Sequence, residues 1–194
     1  MEEKENTFYA ENEEAWRDWL AANHTIANSV WLIIYKKGSG QPSVYYPEAV
    51  DQALCFGWVD SKPNKRDDQS FYQFFSPRNP TSNWSRVNKE KVERLIKTGQ
   101  MTEAGMALIN KARESGAWTA LDDVENLVIP SDLQEALEQV PNALDYFQAF
   151  PKSARRGILE WILNAKRAET RAKRVTETAK LAGENIRANQ WPRK

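Results

Sequence analysis

Two stretches gather most of the side chains able to do chemistry. One is Cys55-Phe56-Gly57-Trp58-Val59-Asp60-Ser61-Lys62; the other runs from Ser76-Pro77-Arg78 to Trp84-Ser85-Arg86-Val87-Asn88. Together they offer a carboxylate, a guanidinium, an ammonium, hydroxyls and two indoles, a mixture suited to holding an anion attached to a flat group. On one strand, Trp58 and Asp60 point to the same face, because side chains alternate with period two. Arg78 follows the opposing strand, within reach of Asp60. Ser85 opens a helix whose free backbone amides favour an anion. The candidate ligand site is therefore Trp58, Asp60, Ser61, Lys62, Arg78, Trp84, Ser85 and Asn88, with Asp60 orienting Arg78 rather than acting as an acid or base. The same residues also have a purely structural reading: an Asp60–Arg78 pair closing a hairpin, Ser85 as an ordinary N-cap, and both tryptophans in the core.

Other chemistry has less behind it, and no catalytic residue is assigned. A metal centre needs several His, Cys or carboxylate ligands at set spacings, and this chain has one histidine, His24, and one cysteine, Cys55. Asp67-Asp68 and Asp122-Asp123 are neighbours in loops, where adjacent side chains diverge. A thiol nucleophile would have to be Cys55 activated by His24, yet Cys55 sits between Leu54 and Phe56 and reads as a small buried hydrophobe. The segment GSGQPS lacks the Lys-Ser/Thr of a phosphate loop. No metal or cofactor is expected, and an enzyme is the less favoured class.

These side chains need a scaffold, and the sequence outlines one. Asn12 is a plausible cap for a helix bearing Trp16, Trp19 and Leu20 at helical spacing. Val30 to Tyr35 is a continuous β-branched and aromatic run, expected as a strand covered on both faces. Pro47 suits the start of a second helix that stops near Gly57. Trp58–Ser61 and Phe71–Ser76 read as a hairpin joined by a long charged loop containing KPNKRDDQ. From Ser85 the pattern is helical: one helix to Gly99, another capped by Thr102 with Met101 and Met106 as a staple, and a third with Ser131 and Gln134 at capping-box spacing. Pro141 and Pro151 punctuate two more. A last helix begins near Ala168, with an apolar stripe at Ala172, Val175, Ala179, Ala182 and Ile186. The expected fold is α+β: a small N-terminal sheet with helices over residues 1–98, then a largely helical region over 99–194, packed as one globular unit.

Charge adds a second lead. The formal net charge is zero, but residues 1–150 hold 15 Lys+Arg against 23 Asp+Glu, while residues 151–194 hold 12 against 4. The basic end either docks on acidic surface of its own chain or meets an external anion such as nucleic acid, through Arg167, Arg171, Lys173 and Arg174. The first reading is favoured, because nucleic-acid binders usually carry a basic excess over the whole domain. The sequence MEEKENTFYAENEEAW is acidic where a signal peptide has a basic start and an apolar stretch. No run approaches the roughly 18 apolar residues of a membrane span. With a single cysteine as well, a cytoplasmic location is expected.

Three blocks carry a resemblance: ALCFGWVDSKP, then FSPR with SNWSRVNKEKVERLI, and PKSARRGILEWILNAKRAETRAKRV. They resemble the signature blocks of YdeI/OmpD-associated (bacteriocin-protection) proteins, with the helical family segment at about residues 130–190. The resemblance implies an α+β domain followed by that segment, and a link to stress or bacteriocin tolerance; it implies no reaction. Three functions follow as expectations. The leading one is a non-enzymatic binding protein for a small anionic or aromatic ligand. The others are a nucleic-acid-binding protein using the basic C-terminal helices, and an enzyme acting at the same pocket.

Overall fold

The structure is a computed structural model and describes residues 4–190. The chain divides into two compact units, Met1–Thr119 and Ala120–Lys194. The division falls after the helix Glu103–Glu114 because its Ile109 and Ala112 belong to the N-terminal core.

Helix α1, Glu13–Asn23, starts where Asn12 accepts a hydrogen bond from the Ala15 amide at 2.8 Å. Its Trp16 and Leu20 are fully buried. Helix α2, Tyr46–Cys55, carries Pro47 in its first turn, and the chain leaves it through Gly57 at φ +74°. A side chain is strained at that angle, which is why the helix ends there. Four strands form one sheet in the order β1-β2-β4-β3: β1 Thr7–Tyr9, β2 Val30–Tyr35, β3 Trp58–Lys65 and β4 Ser70–Pro77. β1 runs parallel to β2, and the other two pairings are antiparallel. Helix α3, Arg86–Lys97, is capped by Ser85; α4, Glu103–Glu114, is capped by Thr102.

Register assigns each strand residue to a face. Val30, Leu32 and Ile34 lie opposite Phe75, Gln73 and Phe71. Together with Phe8, the apolar members of this set pack in one core with Trp16, Leu20, Val50, Leu54 and the inner residues of α3 and α4. The alternate set therefore occupies the opposite, outer face.

Three expectations change. Strands β3 and β4 run on through residues expected in the hairpin loop, which shrinks to a tight turn about Arg66–Gln69. Pro63 is compatible because β3 is the edge strand, and the register shifts by a bulge between Asp60 and Pro63. Strand β1 was not evident in the sequence. Strand β2 packs into the core cluster with Val30, Leu32 and Ile34, whereas on its other face Ile33 is buried but Trp31 and Tyr35 are only partly covered.

The C-terminal unit contains α5 Asp122–Glu125, α6 Ser131–Glu138, α7 Ala143–Ala149, α8 Lys152–Leu163 and α9 Ala168–Gly183. Its core includes Leu133, Leu137, Phe147, Ile158, Ile162, Val175 and Ala179. Pro130, not Ser131, is the cap of α6, so the expected capping box is absent there. On α9 the buried residues are Val175, Thr178, Ala179 and Ala182, while Ala172 is exposed and Ile186 lies past the helix end. Thr178 is tolerated inside because its hydroxyl donates to the Arg174 carbonyl at 2.7 Å.

Candidate functional site

The two tryptophans expected as pocket walls are core residues. Trp58 is 1% exposed; its indole donates to the His24 carbonyl at 3.2 Å and meets Trp19 edge-on, with centroids 5.8 Å apart. Trp84, also 1% exposed, packs against Trp118 at 5.1 Å. Trp19 and Trp118 cover the surfaces a ligand would have used. Ser85 is the N-cap of α3, its hydroxyl accepting from the Asn88 amide at 3.4 Å, and that cap is the local role of both residues.

Arg78 remains close to Asp60 without forming the expected pair. Its guanidinium lies 4.0 Å over the Trp84 ring and donates through Nη2 to the Asn83 carbonyl at 2.5 Å, while the buried Nε has no partner. Burial pushes its pKa down, and the charge of Asp60 partly opposes this. No carboxylate among the described residues lies within 4 Å of it. Asp60 instead accepts a hydrogen bond from the Tyr46 hydroxyl at 2.8 Å. Burial, then that hydrogen bond, pushes the Tyr46 pKa up to about 12. Ser61 joins Tyr46, Pro63, Phe71 and Gln73 around a shallow hollow. Lys62, at the bulge, reaches the other side of the sheet, 5.9 Å from the centroid of Trp31. The expected constellation thus separates into a buried Arg78–Trp84 stack, a Tyr46–Asp60 pair and a lysine on the outer face.

That outer face is the feature the sequence reading missed. By register, Trp31, Ile33 and Tyr35 of β2 lie opposite Phe74, Tyr72 and Ser70 of β4, with Tyr9 of β1 beside Ile33. None of the apolar side chains in this group belongs to either core cluster, although Ile33 and Tyr72 at its centre are buried, at 6% and 5% exposed. Trp31, Tyr35 and Phe74 are partly exposed, and Tyr9 is 40% exposed. Two aromatic clusters result. In one, Trp31 meets Phe74 at 4.8 Å and Tyr72 at 6.2 Å; in the other, Tyr9 meets Tyr35 edge-on at 5.5 Å. Cations stand over them: Lys4 Nζ is 3.8 Å from the Trp31 centroid, and the Arg66 guanidinium is 6.0 Å from that of Tyr35. Arg66 also donates to the Tyr35 hydroxyl at 3.3 Å and to Asp67 at 3.3 Å. The cue available in the sequence was the alternation Trp31-Ile33-Tyr35, hidden because Leu32 and Ile34 between them are apolar too.

Cys55 is fully buried and its thiol is pushed up by burial, with Arg17 acting in the opposite sense. Arg17 is held by Gln52 Oε1 at 2.5 Å and the Gln100 carbonyl at 3.0 Å. Among the described residues no group of three His, Cys, Asp or Glu is placed to hold a metal ion, and no helix is long and apolar enough to cross a membrane.

In the C-terminal unit, the basic residues named from sequence have different surroundings. Arg171 makes a two-pronged pair with Asp132, at 2.7 and 2.9 Å, and this pairing holds the Asp132 carboxyl below its usual range. Arg174 donates to the Trp161 carbonyl and lies 4.9 Å over its ring. Arg156 binds Glu125 and Glu160 at 3.0 and 2.9 Å. Arg167 and Lys173 are exposed. Part of the basic excess is therefore answered by acids of the same unit. A cavity of about 110 Å³ lies among Val124, Val128, Pro130, Leu159, Ile162 and Arg171.

Comparison with known families divides the chain in much the same way. A family model described as a domain of unknown function (DUF8412) matches residues 8–108, and one described as bacteriocin-protection, YdeI or OmpD-associated, matches residues 126–185. The ALCFGWVDSKP and SNWSRVNKEKVERLI blocks fall within the first match, and PKSARRGILEWILNAKRAETRAKRV within the second. No curated protein and no solved structure matches the chain. With just over half its length matched by the first model, the chain belongs to the DUF8412 family, and its C-terminal helical unit carries a YdeI/OmpD-associated segment.

Proposed function

We propose that the protein is a non-enzymatic binding protein whose recognition surface is the outer face of the N-terminal sheet, for ligands that join a flat ring to a negative charge. The observation that carries this reading is the group Tyr9, Trp31, Tyr35 and Phe74, left partly exposed outside both cores with Lys4 and Lys62 over Trp31. Contiguous exposed apolar surface ringed by polar groups is a mark of interaction sites. Aromatic faces attract cations and stack on flat ligands, and the nearby ammonium groups favour an anionic substituent.

The groups best suited to chemistry support binding over catalysis. Cys55 is sealed and its thiol disfavours ionisation, while Asp60 is engaged by a tyrosine whose pKa has moved away from neutrality. A cytoplasmic location is part of the proposal, supported by the single cysteine. The bacteriocin-protection description of the model matching residues 126–185 supports a place in tolerance to such toxins.

The test is a thermal-shift screen of aryl carboxylates and nucleoside monophosphates, repeated on Trp31→Ala and Arg78→Met. A ligand at a hundred times its Kd stabilises the native state by about 2.7 kcal/mol, or about 11 °C for a unit of this size. The shift should vanish in Trp31→Ala and persist in Arg78→Met. The reverse pattern would return the site to the Arg78–Asp60 region and refute the outer-face assignment.

A further inference from the structure

We propose that the outer face of the sheet is a stacking platform for single-stranded nucleic acid, with bases on Trp31, Phe74 and the Tyr9–Tyr35 pair and phosphates on Lys4, Lys62 and Arg66. This rests on the reading of that face as the recognition surface, and names its occupant.

Ring geometry and charge both point to this class. Trp31 and Tyr35 are four residues apart on one strand, about 13 Å at the usual rise. That is the length of about four stacked nucleotide steps at 3.4 Å each. The two aromatic clusters are therefore separated by a few bases rather than by the width of one small ring. Stacking needs unpaired bases, since a duplex hides their faces; four-stranded sheets presenting aromatic side chains are a known physical solution for single strands. A polyanion also explains why cations attend both clusters: Lys4 and Lys62 at Trp31, and Arg66 at Tyr35. Lys4 sits over the ring face that a base would take, 3.8 Å from the centroid. An arriving base displaces the ammonium, which is then free to meet the adjoining phosphate. Asp67, paired with Arg66 at 3.3 Å, and Asp68 bound the surface at the Tyr35 end, so the strand's phosphates run from the Lys4–Lys62 side as far as Arg66 and no further.

The experiment is fluorescence anisotropy of labelled dT12 and rU12 with the full chain at 50 and 200 mM salt, with uridine monophosphate as a competing monomer. Three phosphate contacts give a single-strand slope of about −2, hence a roughly twentyfold loss of affinity across that salt range. Trp31→Ala and Phe74→Ala should each weaken binding about tenfold or more. Lys62→Gln, at an exposed edge-strand position, should weaken it modestly and reduce the salt slope by just under 1. If either alanine variant fails to fold, Trp31→Phe and Lys62→Gln carry the test: the first should retain most affinity, and the second should show the modest loss with the shallower salt slope. If neither dodecamer binds but the monophosphate or an aryl carboxylate does so in a Trp31-dependent way, the nucleic-acid occupant is wrong while the recognition surface stands. Binding of no probe overturns both. Oligonucleotide binding that ignores Trp31 and Lys62 but falls on Lys173→Glu overturns this proposal in favour of the basic C-terminal helix.

Discussion

Replacing Gly105 with alanine should destabilise the N-terminal unit, although alanine is the better helix former. Gly105 lies in the first turn of α4, where the helix rests on the end of α2. A Cβ there would overlap the Cys55 carbonyl oxygen and Met101 Sδ, and would stand 2.9 Å from the Cys55 carbonyl carbon. The methionine can rotate away, but the carbonyl is backbone and is fixed by the Thr102 hydroxyl at 2.5 Å and the Thr102 amide at 3.3 Å. Relief therefore requires α4 to lift off α2. Overpacking of this kind costs about 1–3 kcal/mol, and weakening the Thr102 contacts adds about 1 kcal/mol. The gain in helix propensity returns at most about 1 kcal/mol. The net loss is about 1–3 kcal/mol, a fall in Tm of roughly 4–12 °C. Gly157 in α8 supplies the control: no atom lies within 4 Å of its would-be Cβ, so Gly157→Ala should stabilise the C-terminal unit by up to about 1 kcal/mol. Urea titration followed by circular dichroism measures both. A Gly105→Ala protein as stable as the parent would refute the close seating of α4 on Cys55.

Three further outcomes follow from the charged and buried groups. Tyr46 should ionise near pH 12, read by ultraviolet difference absorbance, and Asp60→Asn should bring it back towards the ordinary value near 10. Because the folded value is raised, the stabilisation this pair supplies is present below pH 10 and fades as pH rises through about 12; an unmoved titration in Asp60→Asn would discard the pairing. Asp132 has a depressed pKa from Arg171, so its contribution is present above about pH 4 and is lost as pH falls through the depressed value. With both side chains substantially exposed, Asp132→Asn should cost no more than about 1 kcal/mol and should flatten the acid limb of stability against pH. Cys55, buried with its thiol pushed up, should resist thiol reagents in the native protein at pH 8 and react on unfolding; rapid native labelling would contradict its sealed position.

Much of the scaffold was legible because local chemistry dictated it. Asn12, Ser85 and Thr102 cap their helices as their types require, and Gly57 and Gly99 leave helices at positive φ. What escaped was set by partners distant in sequence. Strand β1 is three residues long and exists through its parallel pairing with β2. The Lys62–Lys65 stretch looked like loop by composition and became strand because β4 offered it a partner and an edge position tolerates Pro63. Trp58 and Trp84 stand in the two polar-aromatic stretches, but Trp19 and Trp118 close over them, and nothing local announces such a tertiary neighbour. In the candidate site, Lys62 was named without its partner Trp31. The run Val30–Tyr35 is apolar at every position, so periodicity could not say that Trp31 and Tyr35 would stay at the surface; the register with Tyr72 and Phe74 decides it. For the basic end, the counts showed an excess of positive charge, but only the fold reveals that Arg171 and Arg174 are bound within their own unit.

The most direct test of the outer face as a recognition surface is nitrogen-15 NMR of the indole groups during titration with dT12, with signals assigned by single Trp→Phe variants. The Trp31 indole signal should move with saturation, while those of Trp58 and Trp84, sealed at 1% exposure each, should stay in place. Movement of Trp58 and Trp84 with Trp31 unchanged would place the ligand beside Arg78 and contradict the account.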